Sequence, residues 1–187
     1  MTVKLFLPLS LLFLLAFSFS VKAQNNSTKK FSTMKDTEAP SFSLEDITGK
    51  KINSSDYRGK YLVIHFATTW CPFCNAEAPN LEQLYKDYKA KGVEVLIIDV
   101  KEDKKLVSDL LVNKFKLSFP VLLDTEGKVA ASFAPDDVLP DLARDEVMLA
   151  SNLLIDPEGK IIFFSLLDSK NFDAKLVELK RLLDERL

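Results

Sequence analysis

The chain has 187 residues, of which 47% are hydrophobic and 28% are charged, a composition that is ordinary for a globular protein with a core. This length suits one domain preceded by a leader. The formal net charge is −2, which excludes the strongly basic character of a nucleic-acid-binding protein. With only two cysteines, the fold cannot depend on a framework of disulfides.

Residues 1–23 have the pattern of a signal peptide. Lys4 precedes an apolar run from Leu5 to Phe19, and Val21-Lys22-Ala23 is a small-x-small cleavage signal. The run has about 15 residues, whereas a membrane span needs about 20. An uncleaved signal anchor is the alternative. Both interpretations predict a periplasmic or otherwise extracytoplasmic domain.

The next residues, 24–35, are polar and carry no hydrophobic period, which predicts a flexible tether. The folded domain is therefore expected at 36–187. It should open with a β-hairpin, because Phe42–Leu44 and Lys51–Ile52 flank a turn-like stretch at 46–49.

A strand and a helix meet at the centre of the sequence. The apolar, β-branched run Tyr61–Ala67 predicts a buried strand. Trp70-Cys71-Pro72-Phe73-Cys74 follows, and then a helical period that predicts a helix over 71–91, ended by Gly92. The two cysteines therefore lie where the strand gives way to the helix.

That position predicts a redox-active pair. The first N–H groups of a helix lack partners and carry partial positive charge, which stabilises a thiolate at Cys71. The spacing puts the Cys71 and Cys74 sulfurs at one end of the helix, within reach of a disulfide. A structural disulfide is the alternative, but so small a loop constrains the unfolded chain little. Half of a zinc site is another, but one histidine leaves too few ligands. We expect no metal and no cofactor.

The rest of the domain alternates strands and helices, which implies parallel pairing with right-handed crossovers. The expected elements are strands at 93–100 and 121–123, a helix at 104–116, a hairpin of strands at 153–155 and 160–166, and a last helix ending near 186. Leu106, Leu110 and Phe115 should face inward from the helix at 104–116. Ser169 or Asn171 should cap the last helix.

Residues 134–147 interrupt this alternation with two prolines and several acidic side chains. We expect an acidic insertion with a short helix at 141–147. A solvated loop without a role is one interpretation. A lid or partner-docking loop near the active site is the other, because loops at the carboxyl ends of strands often carry specificity.

These motifs, in this order, resemble the thioredoxin fold and, more narrowly, the TlpA/ResA-like extracytoplasmic thiol–disulfide oxidoreductases. The resemblance implies an α/β, thioredoxin-like three-layer fold, with a central mixed sheet flanked by helices and an N-terminal β-hairpin extension. It rests on Ala39-Pro40-Ser41-Phe42-Ser43-Leu44, the WCxxC block with Glu77 and Pro79, Phe119-Pro120-Val121-Leu122-Leu123-Asp124, and Leu153-Leu154-Ile155-Asp156-Pro157-Glu158-Gly159-Lys160.

The resemblance also suggests two groups for proton transfer. It places an active-site glutamate of the family at Glu77, where a carboxylate can accept a proton from Cys74. His65, the only histidine, falls where thioredoxin has a buried aspartate that transfers protons, and a histidine can do this near neutral pH. The alternatives are an exposed helix charge at Glu77 and a hydrogen-bonded strand histidine at His65.

Four residues are candidates for substrate docking: Trp70 and Pro72 beside the cysteines, and Leu149 and Ala150 at the segment facing them. The fold normally has a cis-proline where this chain has Ala150. A cis bond before a residue other than proline costs about 3 kcal/mol, so we predict a trans Leu149–Ala150 bond. The absence of the cis-proline puts the family's usual mode of peptide docking in doubt.

The sequence thus predicts an exported thiol–disulfide oxidoreductase in which Cys71 forms a mixed disulfide and Cys74 resolves it. The resemblance favours a reductant, for cytochrome c maturation or protein thiol maintenance, with protein thiols and disulfides as partners and a membrane electron donor. A peroxidase with an antioxidant role is one alternative, and it would need Thr68 or Thr69 and Arg144 at the thiolate. A non-catalytic binding module is the other.

Overall fold

The computed structural model describes residues 35–136 and 138–187. The expected signal peptide at 1–23 and nearly all of the tether lie outside these ranges. Eight strands are described: β1 Thr37–Glu38, β2 Ser43–Asp46, β3 Lys51–Asn53, β4 Tyr61–Ala67, β5 Val93–Val100, β6 Val121–Asp124, β7 Asn152–Ile155 and β8 Lys160–Ser165. They form one mixed sheet in the order β1-β8-β7-β4-β5-β6-β2-β3.

The described helices are α1 Pro72–Tyr88, α2 Lys104–Val107, α3 Lys128–Phe133, α4 Arg144–Val147 and α5 Val177–Asp184. A π-helix at Ser108–Asn113 extends α2, and 3-10 turns lie at Ser54–Tyr57 and Lys89–Lys91. None of the helices in the described part of the chain is long and apolar enough to cross a membrane.

The sheet has a core on each face, because successive side chains of a strand point to opposite sides. Val63 and Ala67 of β4 pack against α1 and α5. Ile64 and Phe66 pack on the other face, where Phe133 of α3 joins them. This is the three-layer α/β fold that the sequence predicted.

The strand pairings place the cysteine motif at the centre of the sheet. β4 pairs in parallel with β5 and antiparallel with β7, and β5 pairs in parallel with β6. The N-terminal hairpin is confirmed, since Leu44 of β2 pairs with Ile52 of β3. Gly92, with φ 86°, ends the helical segment after β4 as predicted.

The inner face predicted for the helix after β5 is wrong at Leu106 and Leu110, whereas Phe115 packs against the core as predicted. Leu106 and Leu110 are 40% and 46% exposed, whereas Val107 and Leu111 are fully buried. Both pairs have the i,i+4 spacing of one helix face, so the pattern fits either pair. The π-helix at Ser108–Asn113 also changes the helical phase by widening its turn.

The cap predicted for the last helix is also wrong. Asp173 accepts hydrogen bonds from the N–H groups of Val177 at 2.6 Å and Glu178 at 3.3 Å. Neither Ser169 nor Asn171 takes this role, because the chain first turns through Leu176 in the left-handed region, with φ 56°. The helix therefore begins several residues later than expected.

Candidate active site

Cys71 is the N-cap of α1 and has extended backbone angles, with φ −73° and ψ 116°. Its Sγ accepts a hydrogen bond from the backbone N–H of Cys74 at 3.3 Å. Pro72 occupies the first helical turn, where its missing N–H would have had no helical partner. Both cysteines are free thiols, so the geometry is that of the reduced pair.

The two thiols have opposite protonation tendencies. A hydrogen bond from the Cys74 thiol, together with the N–H groups of Cys74 and Phe73, holds the pKa of Cys71 well below its usual range although burial opposes this. The same thiol hydrogen bond and burial raise the pKa of Cys74. The pair therefore favours a thiolate at Cys71 and a protonated thiol at Cys74.

The two sulfurs also differ in access. Cys71 lines a cavity of about 290 Å³ together with Trp70 and Pro72. Cys74 has no exposed surface, and its Sγ lies 3.9 Å from the carbonyl oxygen of Phe66. Cys71 is itself only 4% exposed, but it lines this cavity and Cys74 does not, so a molecule that enters the cavity contacts Cys71.

A buried hydrogen-bond network of three polar side chains connects β4, β7 and α1. His65 and Asn152 are cross-strand partners, and Asn152 Oδ1 lies 3.0 Å from His65 Nδ1. The Asn152 side-chain amide donates to Glu77 Oε1 at 2.8 Å. Because an amide oxygen only accepts, Nδ1 of His65 carries the proton of this bond. All three residues are at most 4% exposed.

Burial sets the protonation states of His65 and Glu77 in this network. It raises the pKa of Glu77 to about 8, although the bond from Asn152 opposes the rise. It lowers the pKa of His65 to about 4. At pH 7 His65 is therefore neutral and Glu77 mostly protonated, so the 3.5 Å approach of His65 Nδ1 to Glu77 Oε2 joins two groups that are mainly uncharged. Glu77 is a buried acid and not the exposed helix charge of the alternative interpretation.

A pair of carboxyl groups lies behind the loop that leads to the cysteines. Glu102 accepts hydrogen bonds from the backbone N–H of Thr69 and, at 2.7 Å, from its hydroxyl. Asp99, at the end of β5, is fully buried. Burial and then the neighbouring Glu102 raise the pKa of Asp99 to about 9. Glu102 thus fixes the backbone just before Trp70.

Sequence reasoning missed Asn152, Asp99 and Glu102. A carboxyl group directly after the apolar run 95–98 of β5 was a visible signal for Asp99. Nothing local marks Asn152, because its role depends on the pairing of β7 with β4 and on the position of α1.

Three of the four predicted docking residues come together. Trp70, which is 68% exposed, lines the cavity at Cys71 with Pro72 and Leu149. Ala150 instead lines a neighbouring cleft of about 220 Å³ that also contains Glu77. The sequence thus grouped residues that the fold divides between two cavities.

Ala150 replaces the expected proline without a cis bond. Every described peptide bond is trans, so the prediction for Leu149–Ala150 is confirmed. Ala150 has φ 59°, and its N–H donates to the Phe66 carbonyl at 2.9 Å. A proline has no N–H and could not make this bond to β4.

Residues 36–164 match the AhpC/TSA family. The protein named thiol-disulfide oxidoreductase ResA from Bacillus subtilis is 37% identical over 133 residues, which are 71% of this chain and 68% of that protein. Its namesake from Bacillus thuringiensis is 37% identical over 125 residues, or 67% and 65% of the two chains. The one from Geobacillus thermodenitrificans is 34% identical over 81% of this chain and 79% of its own. This chain belongs to the AhpC/TSA family, among the ResA-like thiol–disulfide oxidoreductases.

Solved structures of this kind share the fold. A secreted Mycobacterium tuberculosis disulfide oxidoreductase homologous to Escherichia coli DsbE superposes with a TM-score of 0.60 at 24% identity, over 75% of this chain and 92% of that one. A thiol:disulfide interchange protein from a Bacteroides species gives 0.63 at 22%, over 80% and 90%. The thioredoxin-like fold predicted from the sequence is confirmed.

Two of the three groups that a peroxidase could use have other partners in this ResA-like chain. The Arg144 guanidinium donates to the carbonyl oxygens of Val138, at 2.9 Å, and Pro135. The Thr69 hydroxyl donates to Glu102. These bonds hold Arg144 to the insertion and Thr69 to Glu102, just after β5. Thr68, the other threonine candidate, is buried, and its Oγ1 has no hydrogen-bond partner among the described residues.

Proposed function

We propose that this chain catalyses thiol–disulfide exchange on protein substrates, with Cys71 as the attacking thiolate and Cys74 as the resolving thiol. The observation that carries the proposal is the difference between the two sulfurs. Cys71 has the lowered pKa and lines a surface cavity. Cys74 is buried and holds its proton. The relatives named ResA support the same chemistry.

Reduction of a substrate proceeds in two exchanges. The Cys71 thiolate attacks one sulfur of a substrate disulfide, the substrate S–S bond breaks, and one substrate thiolate leaves while a mixed disulfide forms. Cys74 then loses its proton and attacks the Cys71 sulfur. The second substrate thiolate leaves, two electrons have passed to the substrate, and Cys71 and Cys74 are joined by a disulfide.

Glu77 is the acceptor that we propose for the Cys74 proton. Its pKa of about 8 is close to the working pH, where general acid–base catalysis is most effective. Asn152 holds Oε1, while Oε2 has no hydrogen-bond partner among the described residues. Glu77 also lines the cleft of about 220 Å³ whose rim includes the exposed residues Asp168 and Asn171, which offers the proton a path to solvent.

His65 acts in this scheme as a positioning residue. Its hydrogen bond goes to Asn152, and Asn152 in turn holds Glu77. Its pKa of about 4 makes it a poor proton acceptor at neutral pH. This replaces the direct proton-transfer role suggested by the sequence.

We further propose that the domain works as a reductant outside the cytoplasm, in cytochrome c maturation or protein thiol maintenance. A membrane electron donor then reduces the Cys71–Cys74 disulfide again. The leader pattern at 1–23 and the resemblance to extracytoplasmic relatives support this location. The reducing direction rests on the family resemblance.

Trapping of mixed disulfides tests the exchange mechanism. A reduced Cys74→Ser variant mixed with a disulfide-containing protein should accumulate a covalent adduct at Cys71. The Cys71→Ser variant should accumulate none, because Cys74 is buried and protonated. Adducts that form mainly through Cys74 would reverse the two roles. If neither variant forms an adduct and Cys71→Ser binds its partner unchanged, the binding-module alternative is correct.

A further inference from the structure

The insertion at 134–147 forms one wall of the cavity at Cys71. Leu139 and Leu142 from the insertion line this cavity together with Trp70, Cys71 and Leu167. Eight large apolar side chains in the described part of the chain are markedly exposed, and four of them lie here: Trp70, Leu139, Leu142 and Leu167. Exposed apolar side chains gathered at one place mark interaction sites, whereas single ones are ordinary.

Arg144 and Asp145 anchor the described residues of the insertion, although these leucines are exposed. Arg144 donates to the carbonyls of Val138 and Pro135, which closes the loop on itself. Asp145 accepts from Lys101 at 2.5 Å, which attaches the loop to the end of β5. These contacts tie the described residues of the insertion to one another and to the residue after β5, and such pre-organisation lowers the entropic cost of binding.

The backbone of Leu139 indicates that its exposure is imposed by the loop. Its φ is 47°, in the left-handed region that bulky residues rarely adopt. Such conformations persist where the surrounding structure enforces them, and they cluster at functional sites. In this conformation the Leu139 side chain reaches the cavity and does not pack into the core.

The cavity fits one large apolar side chain. Its volume is about 290 Å³, and an engineered cavity of about 150 Å³ already holds a benzene molecule. Glu146 is the one charged residue among its described lining residues, and its side chain is exposed. A ligand with an apolar group and a neighbouring positive charge matches this lining.

We propose that the insertion selects polypeptide substrates in which the reactive cysteine is flanked by a large apolar side chain, with a basic residue beside it. The apolar side chain enters the cavity between Trp70 and the two leucines of the insertion. This seats the substrate sulfur at Cys71, and the basic residue faces Glu146. The proposal rests on the proposed exchange function and adds its substrate class.

Release of a coloured thiol from model peptides tests this selection. The probes are peptides whose single cysteine carries a nitrothiobenzoate mixed disulfide, with either Phe-Lys or Ser-Lys beside the cysteine. Cys71 attacks the peptide sulfur, nitrothiobenzoate leaves, and Cys74 then releases the peptide thiol as the Cys71–Cys74 disulfide forms. The small disulfide dithiobis(nitrobenzoate) reports exchange without docking.

We expect the wild type to react with the Phe peptide on the order of 10- to 100-fold faster than with the Ser peptide, since a large apolar side chain leaves water. Leu139→Ser combined with Leu142→Ser should reduce this preference to less than about 3-fold. Leu106→Ser combined with Leu110→Ser is the matched control, because these leucines are similarly exposed but lie elsewhere. It should keep the full preference.

Each other outcome overturns the proposal in a recognisable way. An equal preference in the wild type and the Leu139/Leu142 variant would show that the insertion does not read the substrate. A change in oligomeric state of that variant, with peptide preference intact, would assign the surface to a second copy of the chain. Loss of reaction with dithiobis(nitrobenzoate) in the wild type would instead reject the exchange function on which the proposal rests.

A separate experiment tests the negative charge of Glu146 in the cavity lining. Replacing Lys by Glu in the Phe peptide should slow the wild type about 3-fold at low salt, and less at high salt, because rim charges act mainly on association. Glu146→Gln should remove this difference and leave the preference for Phe unchanged. A lysine preference that persists in Glu146→Gln would exclude Glu146 as its cause.

Discussion

The Asn152 side-chain amide donates a 2.8 Å hydrogen bond to Glu77 Oε1 and so connects β7 with the helix that carries the cysteines. The bond lowers the pKa of Glu77, while burial raises it. The two effects leave the pKa of this acid at about 8, in the range where it can exchange protons with a neighbouring thiol. Asn152 takes no direct part in exchange, yet it tunes the acid that we propose does.

Asn152→Leu should raise the pKa of Glu77, because only burial and the nearby negative charges then act on it. The pH profile of the resolving step should move to higher pH, and stability should fall by about 1–3 kcal/mol as His65 and Glu77 lose their partner. Single-turnover kinetics across pH 6–10 would measure the shift. Asn171→Ala, in the same cleft but exposed, should shift nothing. An unmoved profile in Asn152→Leu would show that Asn152 does not tune Glu77.

Glu77→Gln should slow resolution of the mixed disulfide by about 10- to 100-fold near pH 8, since the Cys74 proton loses its nearby acceptor. The first attack by Cys71 should change much less. Rapid-quench analysis of the mixed disulfide separates the two steps.

Glu82→Gln is the matched control for Glu77→Gln, because Glu82 lies buried on the same helix but accepts its hydrogen bonds from Ser118 and Lys86. It should lower stability and leave the pH profile of resolution in place. If it slows resolution as much as Glu77→Gln does, the effect of Glu77 is structural.

His65 should make the protein sensitive to acid. Its folded pKa of about 4 lies below the ordinary value of 6.5, so the unfolded chain takes up a proton first as the pH falls. The stability that neutral His65 contributes is complete above pH 6.5 and is lost progressively towards pH 4, by up to about 3 kcal/mol. Urea unfolding at several pH values should show a smaller slope for His65→Asn in this window. Identical slopes would contradict the neutral, buried state of His65.

Asp99 should have the opposite effect on the pH dependence of stability. Its folded pKa of about 9 exceeds the ordinary value of 3.8, so the stability linked to its proton is complete below about pH 4 and is lost as the pH rises through 9. Asp99→Asn should therefore stabilise the protein at pH 8–9 by a few kcal/mol relative to the wild type, as measured by urea unfolding.

Asp124→Asn provides the comparison for Asp99→Asn. Asp124 is also buried, but it accepts a 2.8 Å hydrogen bond from the Ala130 N–H. Its substitution should lower stability at every pH. If Asp99→Asn destabilises the protein in the same way, Asp99 is ionised in the fold, which would contradict its raised pKa.

The elements around the cysteines could be predicted because local signals agree there. The apolar run of β4, Pro72 in the first turn of α1 and Gly92 at the end of the helical segment each indicate the same boundaries. β1 was missed because two exposed residues, Thr37–Glu38, carry no apolar pattern and depend on pairing with β8. The helix α3 was missed because six residues are too few to show a helical period.

The hydrogen-bond network of His65, Asn152 and Glu77 was harder to predict than the cysteine pair. The spacing of Cys71 and Cys74 is enough to indicate a redox-active pair. The three residues of the network, in contrast, lie far apart in sequence. Only the pairing of β4 with β7 and the packing of α1 bring these three together. The sequence therefore named His65 and Glu77 as separate candidates and could not supply the residue that joins them.

The most direct test of the proposed function is the reduction potential of the Cys71–Cys74 pair, measured by equilibrating the protein with glutathione buffers. We expect one reversible two-electron transition, nearer to the thioredoxin value of about −270 mV than to the DsbA value of about −120 mV. This expectation rests on the family resemblance, because the lowered pKa of Cys71 by itself stabilises the reduced pair and moves the potential towards the oxidising end. A potential near −120 mV would contradict the reducing direction, and a pair that does not cycle would contradict exchange altogether.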